Sequence, residues 1–254
     1  MSVTANFRWR DGALHALDYC DMTAVTVLAA DSWLVSEGLA LGVELHRQRF
    51  MAGVAGRSSA ASVFWDAAIA AIPSAGDWFP RVELHSNGTL LFRLRSALGR
   101  SSSVILATWT GSDLRTTPNV KGPDLEAMLA VRTSVQPLGA QEAVLLSPDG
   151  FVIEGAYSGL LWWRGDILCG PPQSLARIDS VTARTTITLA GALGHDCHEE
   201  HVTPAELDRT ELWVVSALHG IRLATAWIDG PALAERPGRL ATWRARLTAL
   251  RQPL

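Results

Sequence analysis

The stretch Asn119-Val-Lys121-Gly-Pro-Asp124, continued by Ala140-Gln-Glu-Ala143, Leu145-Leu-Ser-Pro-Asp-Gly150 and Val152-Ile-Glu154-Gly155, carries most of what this sequence says about its own chemistry. Of 22 basic residues Lys121 is the one lysine, and every other is arginine. Arginine stays protonated and does not condense with a carbonyl, whereas a lysine amine can lose its proton and do so. A chain that meets its need for positive charge with arginine and keeps one lysine points to a place where the amine itself is required. Residues 111–122 are polar and hold Ser112, Thr116, Thr117 and Pro118. This composition predicts a linker at 112–120 between a small N-terminal α+β domain (1–111) and a larger C-terminal domain (121–254). Beyond it, 124–135 reads as an amphipathic helix with Asp124 as N-cap. Residues 142–146, a Ser147-Pro-Asp-Gly150 turn, 151–154 and 159–163 read as a meander.

Upstream, 7–14 and 22–30 are β-like. Residues 40–55 place Leu41, Leu45, Arg49 and Ala52 on one helical stripe, and 58–72 read as a second helix capped by Ser58 or Ser59. Residues 81–85 and 90–94 flank Ser86-Asn-Gly-Thr89, a hairpin signal because Asn-Gly favours a tight primed turn. A strand follows at 104–109. Downstream, 167–169 is a strand, 181–193 a helix stopped by Gly194, 204–207 a short helix and 212–216 a buried strand. Residues 233–250 are helical with a break at Pro237-Gly238. The pattern is α+β in two domains, neither a doubly wound sheet nor a barrel. Trp162 and Trp163 alternate along one strand, so at most one of them is expected fully in the core.

The 254 residues, 48% hydrophobic and 19% charged with a net charge of −3, exclude disorder and supply enough chain for a large core. No Lys/Arg cluster stands out, which argues against general nucleic-acid binding. The longest apolar runs, such as 153–163, are short and interrupted, so no membrane span is expected. Residues 1–12 hold no charged-then-apolar leader. Cys20, Cys169 and Cys197 are odd in number and far apart, which suggests a reducing cytoplasm rather than a disulfide scaffold. His195-Asp-Cys-His-Glu-Glu-His201 has the residue types of a metal cluster but not the closed four-ligand spacing of structural zinc, so no metal is expected.

Lys121 with Glu154 thirty-three positions on, the Gly170-Pro-Pro172 break and Ser180-Val-Thr-Ala183 opening a helix together resemble the class IV aminotransferases. These are the pyridoxal-phosphate (PLP) enzymes of fold type IV, among them branched-chain and D-amino-acid aminotransferases and 4-amino-4-deoxychorismate lyases. The resemblance implies a two-domain, D-amino-acid aminotransferase-like α+β fold. It implies that Lys121 carries PLP and moves the substrate's α-proton, and that Glu154 keeps the ring nitrogen protonated, the condition for the ring to act as an electron sink. It assigns the phosphate to Val181 and Thr182 at a helix N-terminus, to Arg49 of His46-Arg-Gln-Arg49-Phe50, and to Ser216. Arg47, two residues from Arg49, is expected to face elsewhere. Arg93 of Phe92-Arg-Leu-Arg95 is the candidate for a substrate carboxylate. Asp31 and Ser32, standing where the family has a Phe-Glu-Thr-like stretch, are further candidates at the substrate.

Leu125 replaces a family Tyr, Gly159 replaces an Asn, and Leu98-Gly99-Arg100 keeps only part of an arginine loop typical of the lyases. The activity implied is transamination of an amino acid/keto acid pair, by a cytoplasmic homodimer. Elimination of pyruvate from aminodeoxychorismate is the alternative within the fold. Binding of PLP or another small ligand without turnover is the second alternative.

Overall fold

In the computed structural model, which describes residues 4–17, 25–97 and 99–254, the chain begins with a hairpin where one strand was expected at 7–14. Asp11 and Gly12 both have positive φ (50° and 79°), the signature of a primed two-residue turn between β1 (Thr4–Arg10) and β2 (Ala13–Ala16). Then come β3 (Val27–Ser32), β4 (Val35–Ser36), β5 (Leu39–Ala40), α1 (Val43–Val54), α2 (Ala61–Ala70), β6 (Asp77–Trp78), β7 (Arg81–His85) and β8 (Leu90–Arg95). Residues 22–24 of the expected strand lie outside the described residues. α2 starts after Ala60 with no side-chain cap, so neither Ser58 nor Ser59 serves.

By contacts the chain divides into two units, the first made of residues 1–99, 120–123 and 250–254. Its main sheet has the order β2-β1-β8-β7-β3, antiparallel throughout. One face, with Val82, Leu84 and Phe92, packs against Phe50 and Val54 of α1 and Phe64, Trp65 and Ala68 of α2. The alternate residues of β7 and β8 are Arg81, Glu83, His85, Leu91, Arg93 and Arg95, so the opposite face is charged but for Leu91.

The second unit holds residues 100–119 and 124–249. Its elements are β9 (Ser103–Thr108), α3 (Leu125–Ser134), β10 (Glu142–Leu146), β11 (Val152–Gly155), β12 (Gly159–Arg164), β13 (Ile167–Gly170), α4 (Val181–Ala192), β14 (Cys197–Glu199), β15 (Glu211–Ser216), β16 (Gly220–Ile228) and α5 (Arg239–Ala249). They build one mixed sheet, β11-β10-β9-β16-β15-β12-β13-β14, and Gly155 also bridges Ser158. Leu160, Trp162 and Val214 pack with Val104, Leu106 and Val144 on one face. On the other, Trp163 and Trp213 meet Trp243 of α5 with ring centres 5.3–5.6 Å apart. Both neighbouring tryptophans are therefore buried, Trp162 at 0% and Trp163 at 4% exposure, against the expectation of one. Alternation buries one face of a strand only when the other is open; β12 is covered on both. β16 went unforeseen because a register shift between Ala224 and Ala226 breaks its period. At the C-terminus β17 (Gln252–Pro253) pairs with β5 in the first unit, giving a small sheet β17-β5-β4-β6.

The contact division differs from the expected one at the lysine. Val120–Pro123 clusters with the first unit rather than opening the C-terminal one. The cause is backbone chemistry: the Ala30 amide donates to the Lys121 carbonyl at 2.7 Å. The chain leaves Lys121 through Gly122 at φ +134°, where a Cβ would stand 2.7 Å from Ala30 N and 2.8 Å from Ala29 C. Only glycine fits so close to β3. Gly122→Ala is expected to cost roughly 2 kcal/mol or more, from strain and overlap with backbone that cannot swing aside. A urea titration checks this; an unchanged midpoint refutes it.

Candidate active site

In the first unit, the strand-to-helix packing of β3 on α1 assembles a buried charged cluster. Asp31 is fully buried. Its carboxylate accepts from the Ser32 amide (2.7 Å), His46 Nδ1 (2.8 Å) and Arg49 Nε and Nη2 (both 2.8 Å). His46 and Arg49 lie three apart on α1 and so share one face. Burial alone would raise the Asp31 pKa, but Arg49 and His46 outweigh it and hold the group well below the ordinary carboxylate range. Burial lowers the His46 pKa, against the opposing pull of Asp31. Arg47 faces α2 instead, bonding Ser62 Oγ at 2.8 Å, as its helical position requires. The Lys121 loop joins this cluster through Ala30, the residue before Asp31, and Lys121 contributes to the electrostatics at His46.

On the charged face of the same sheet, Arg93 donates to Glu83 Oε1 (3.2 Å) and Asn6 Oδ1 (3.3 Å). Glu83 is buried and also holds Arg81 (2.7 Å) and His85 (2.8 Å). Burial works against its ionisation, but these three neighbours win and lower its pKa. Arg95 is brought down to about 10 by burial and by Arg81, and its Nη2 reaches Ser32 Oγ at 3.4 Å. Arg93 is thus one member of an arginine array around a carboxylate rather than an isolated hairpin arginine.

In the second unit Glu154 is the last residue but one of β11 and is buried. Its Oε1 accepts from Arg115 Nη1 at 2.6 Å and its Oε2 from the Ile178 amide at 3.3 Å. Arg115 is itself clamped by Asp113 (2.7 Å) and the Ala176 carbonyl (3.0 Å), with its side chain 3% exposed. Burial disfavours the guanidinium, but Asp113 and Glu154 outweigh it and raise its pKa further. The sequence reading passed over Arg115, which looks like a linker residue. The one local hint is Asp113, spaced to pair with it.

Glu154 lines a cavity of about 650 Å³ together with Asn119, Gly159, Arg177, Ile178 and Ser180. Ser180 caps α4, its Oγ accepting from the Ala183 amide at 3.3 Å. Val181 and Thr182 follow, both buried at the start of the helix, where amides lack intrahelical partners and the dipole favours an anion. Gly159 replaces the expected Asn for a packing reason: a Cβ there would sit 3.3 Å from Ser180 Cβ and from Val215 Cγ2. Ser216 is half-buried at the end of β15 and accepts from the His219 amide at 3.3 Å. Asp124 precedes α3 without capping it; its carboxylate instead accepts from the Thr116 and Thr117 amides.

His195 meets Trp163 edge-on and Trp243 at a tilt, and His201 meets Phe151 edge-on. Among the described residues no group of three or more His, Cys, Asp or Glu is arranged to hold a metal. No helix among them is long and apolar enough to cross a membrane. Cys169 and Cys197 are free thiols; Cys20 lies outside the described residues.

Residues 29–227 match the model of the family Amino-transferase class IV. The chain belongs to the class IV aminotransferases. A fold IV transaminase from Curtobacterium pusillum superposes on this class IV chain with a TM-score of 0.82 at 18% identity, covering 97% of both chains. A hypothetical aminotransferase from Mycobacterium tuberculosis, in its α-ketoglutarate and PMP bound form, gives a TM-score of 0.76 at 18% identity, over 97% of this chain and 98% of that one. A branched-chain-amino-acid aminotransferase of Pseudomonas aeruginosa is 29% identical over 86 residues, which are 34% of this chain and 27% of that enzyme.

The fold is thus fold type IV, as expected, and the class IV aminotransferases are PLP-dependent enzymes. The donor set fits that cofactor. The first unit offers an amine and an oriented guanidinium. The second offers a clamped carboxylate and, at the start of α4, Ser180 and Ala183 on the wall of one cavity whose size suits a small cofactor; Val181 and Thr182 do not line it.

Proposed function

We propose that this class IV aminotransferase transfers an amino group between an amino acid and a keto acid. When bound, PLP supplies the electron sink for the substrate's α-carbon. Lys121 carries the cofactor and serves as the base that takes and returns the α-proton. Glu154, oriented by Arg115, holds a proton at the ring nitrogen. Val181, Thr182, Ser216 and Arg49 bind the phosphate, and the Arg93 array with Ser32 receives a substrate carboxylate. In the same proposal the enzyme is a cytoplasmic homodimer.

The observation that carries this reading is the cavity lined both by Glu154 and by Ser180 and Ala183 at the start of α4. These are the two groups a phosphorylated pyridine needs at its ring nitrogen and at its phosphate. Asn119 lines that cavity, and Lys121 stands two residues further along the chain.

An amino-donor screen followed by cofactor absorbance tests the proposal. Donors that bleach the lysine-bound absorbance, with recovery on adding a keto acid, are the expected result. Release of pyruvate from aminodeoxychorismate without an acceptor would replace transamination by elimination. An absorbance that persists with every donor would reduce the protein to a binder.

A further inference from the structure

Four N–H groups converge on the two oxygens of Asp31 at 2.7–2.8 Å: the Ser32 amide, His46 Nδ1, and Arg49 Nε and Nη2. Oδ1 accepts three of the four and Oδ2 one, and the full burial of the carboxylate keeps it from substrate. Its position in place of a family acidic residue suggested a group at the substrate; its contacts lead elsewhere. The Arg49 side chain, 15% exposed, gives its Nε–Nη2 edge to Asp31 in a bidentate pair. A free arginine side chain carries considerable rotamer entropy. The pair spends that entropy on folding, before any ligand arrives.

We propose that Asp31 is a positioning residue for the cofactor's phosphate: with His46 it locks the Arg49 guanidinium in the orientation that receives the phosphate. The same strand holds the other end of the cofactor's anchorage. Ala30, one residue before Asp31, fixes the Lys121 carbonyl at 2.7 Å, and Gly122 allows that approach. Neighbouring residues of β3 therefore hold the Lys121 backbone and the Arg49 guanidinium within one unit. The inference rests on the reading of Arg49 as a phosphate ligand given above.

Binding of PLP and of pyridoxal, which lacks the phosphate, to the cofactor-free protein separates the possibilities. In Asp31→Asn the amide turns a donor toward the guanidinium or the imidazole and releases Arg49. The variant is expected to bind PLP at least tenfold more weakly and pyridoxal within twofold of the natural protein. Arg49→Gln should show the same pattern, and the Asp31→Asn/Arg49→Gln pair should be no weaker than Arg49→Gln alone, because the first residue acts through the second. Unchanged PLP affinity in Asp31→Asn overturns the proposal. So does an equal loss for PLP and pyridoxal, which would mark a purely structural role, or a double variant weaker than Arg49→Gln. If Arg49→Gln itself binds PLP normally, the phosphate reading fails, and the proposal with it. Should Asp31→Asn not fold, the double variant leaves no unpaired buried guanidinium, and its comparison with Arg49→Gln decides.

Discussion

Lys121→Ala is expected to lose covalent cofactor binding altogether and to lower turnover by at least about a thousandfold. The argument begins with what the substitution spares. Lys121 is held by its main chain: its carbonyl accepts from Ala30, and the close approach to β3 belongs to Gly122. Truncating the side chain leaves both in place, so the variant should unfold at the same denaturant concentration as the natural protein. What disappears is the one amine in a chain whose 22 basic residues otherwise end in guanidinium. Lys121→Arg is the sharper variant. It keeps the charge and most of the volume, yet a guanidinium neither condenses with a carbonyl nor gives up its proton near neutrality. Lys121→Arg should therefore be as inactive as Lys121→Ala, and as colourless after incubation with PLP and gel filtration. Retained colour or turnover in either would show that the amine is not the attachment point.

How far the sequence foretold this arrangement depended on whether a signal was local. The hairpin flanking Asn87-Gly88 was legible, but its turn is not the primed one expected, because only Gly88 has a positive φ (81°). Lys121 stood out through composition, and Glu154 through a motif and its spacing. Arg49 followed from its motif, and Arg47's different direction from helical period alone. Features that depend on distant parts of the chain were missed. Nothing near Lys121 announces the Ala30 amide some ninety residues earlier, so the lysine was expected to open the C-terminal domain. Nothing on β12 reveals that helices and strands cover it on both faces, so one buried tryptophan was expected where there are two. Asp31 was read by its place in a motif, and its role emerged only from four hydrogen bonds, two of them from one arginine. Arg115 was hidden in a polar segment that has the composition of a linker, yet its side chain is buried against Glu154 and Asp113.

Arg115 bears on the second large effect. Glu154→Gln is expected to leave PLP bound while lowering turnover about a hundredfold to a thousandfold, within the range of a lost proton-holding group. The amide nearly matches the carboxylate in shape and still accepts from the Ile178 amide, but it carries no charge to keep a proton at the ring nitrogen. The contact with Arg115 at 2.6 Å adds a graded test. That guanidinium spans Asp113 and Glu154 at once, with three contacts to the first and one to the second. Arg115→Lys can reach one carboxylate but not bridge both, so it should fall between the natural protein and Glu154→Gln, with turnover down about tenfold. Arg115→Met, which leaves the buried Glu154 without its cation, should fall further. The pH dependence of the cofactor's absorbance separates this from simple destabilisation. In Glu154→Gln the transition of the ring nitrogen should move to lower pH, because the neutral amide no longer favours the protonated ring. In the Arg115 variants that transition should shift as well, whereas thermal stability alone would leave it fixed. If Glu154→Gln turned over at the natural rate, or its absorbance titrated like the natural protein, the carboxylate would have no part in the chemistry, and Arg115 would be a structural clamp only.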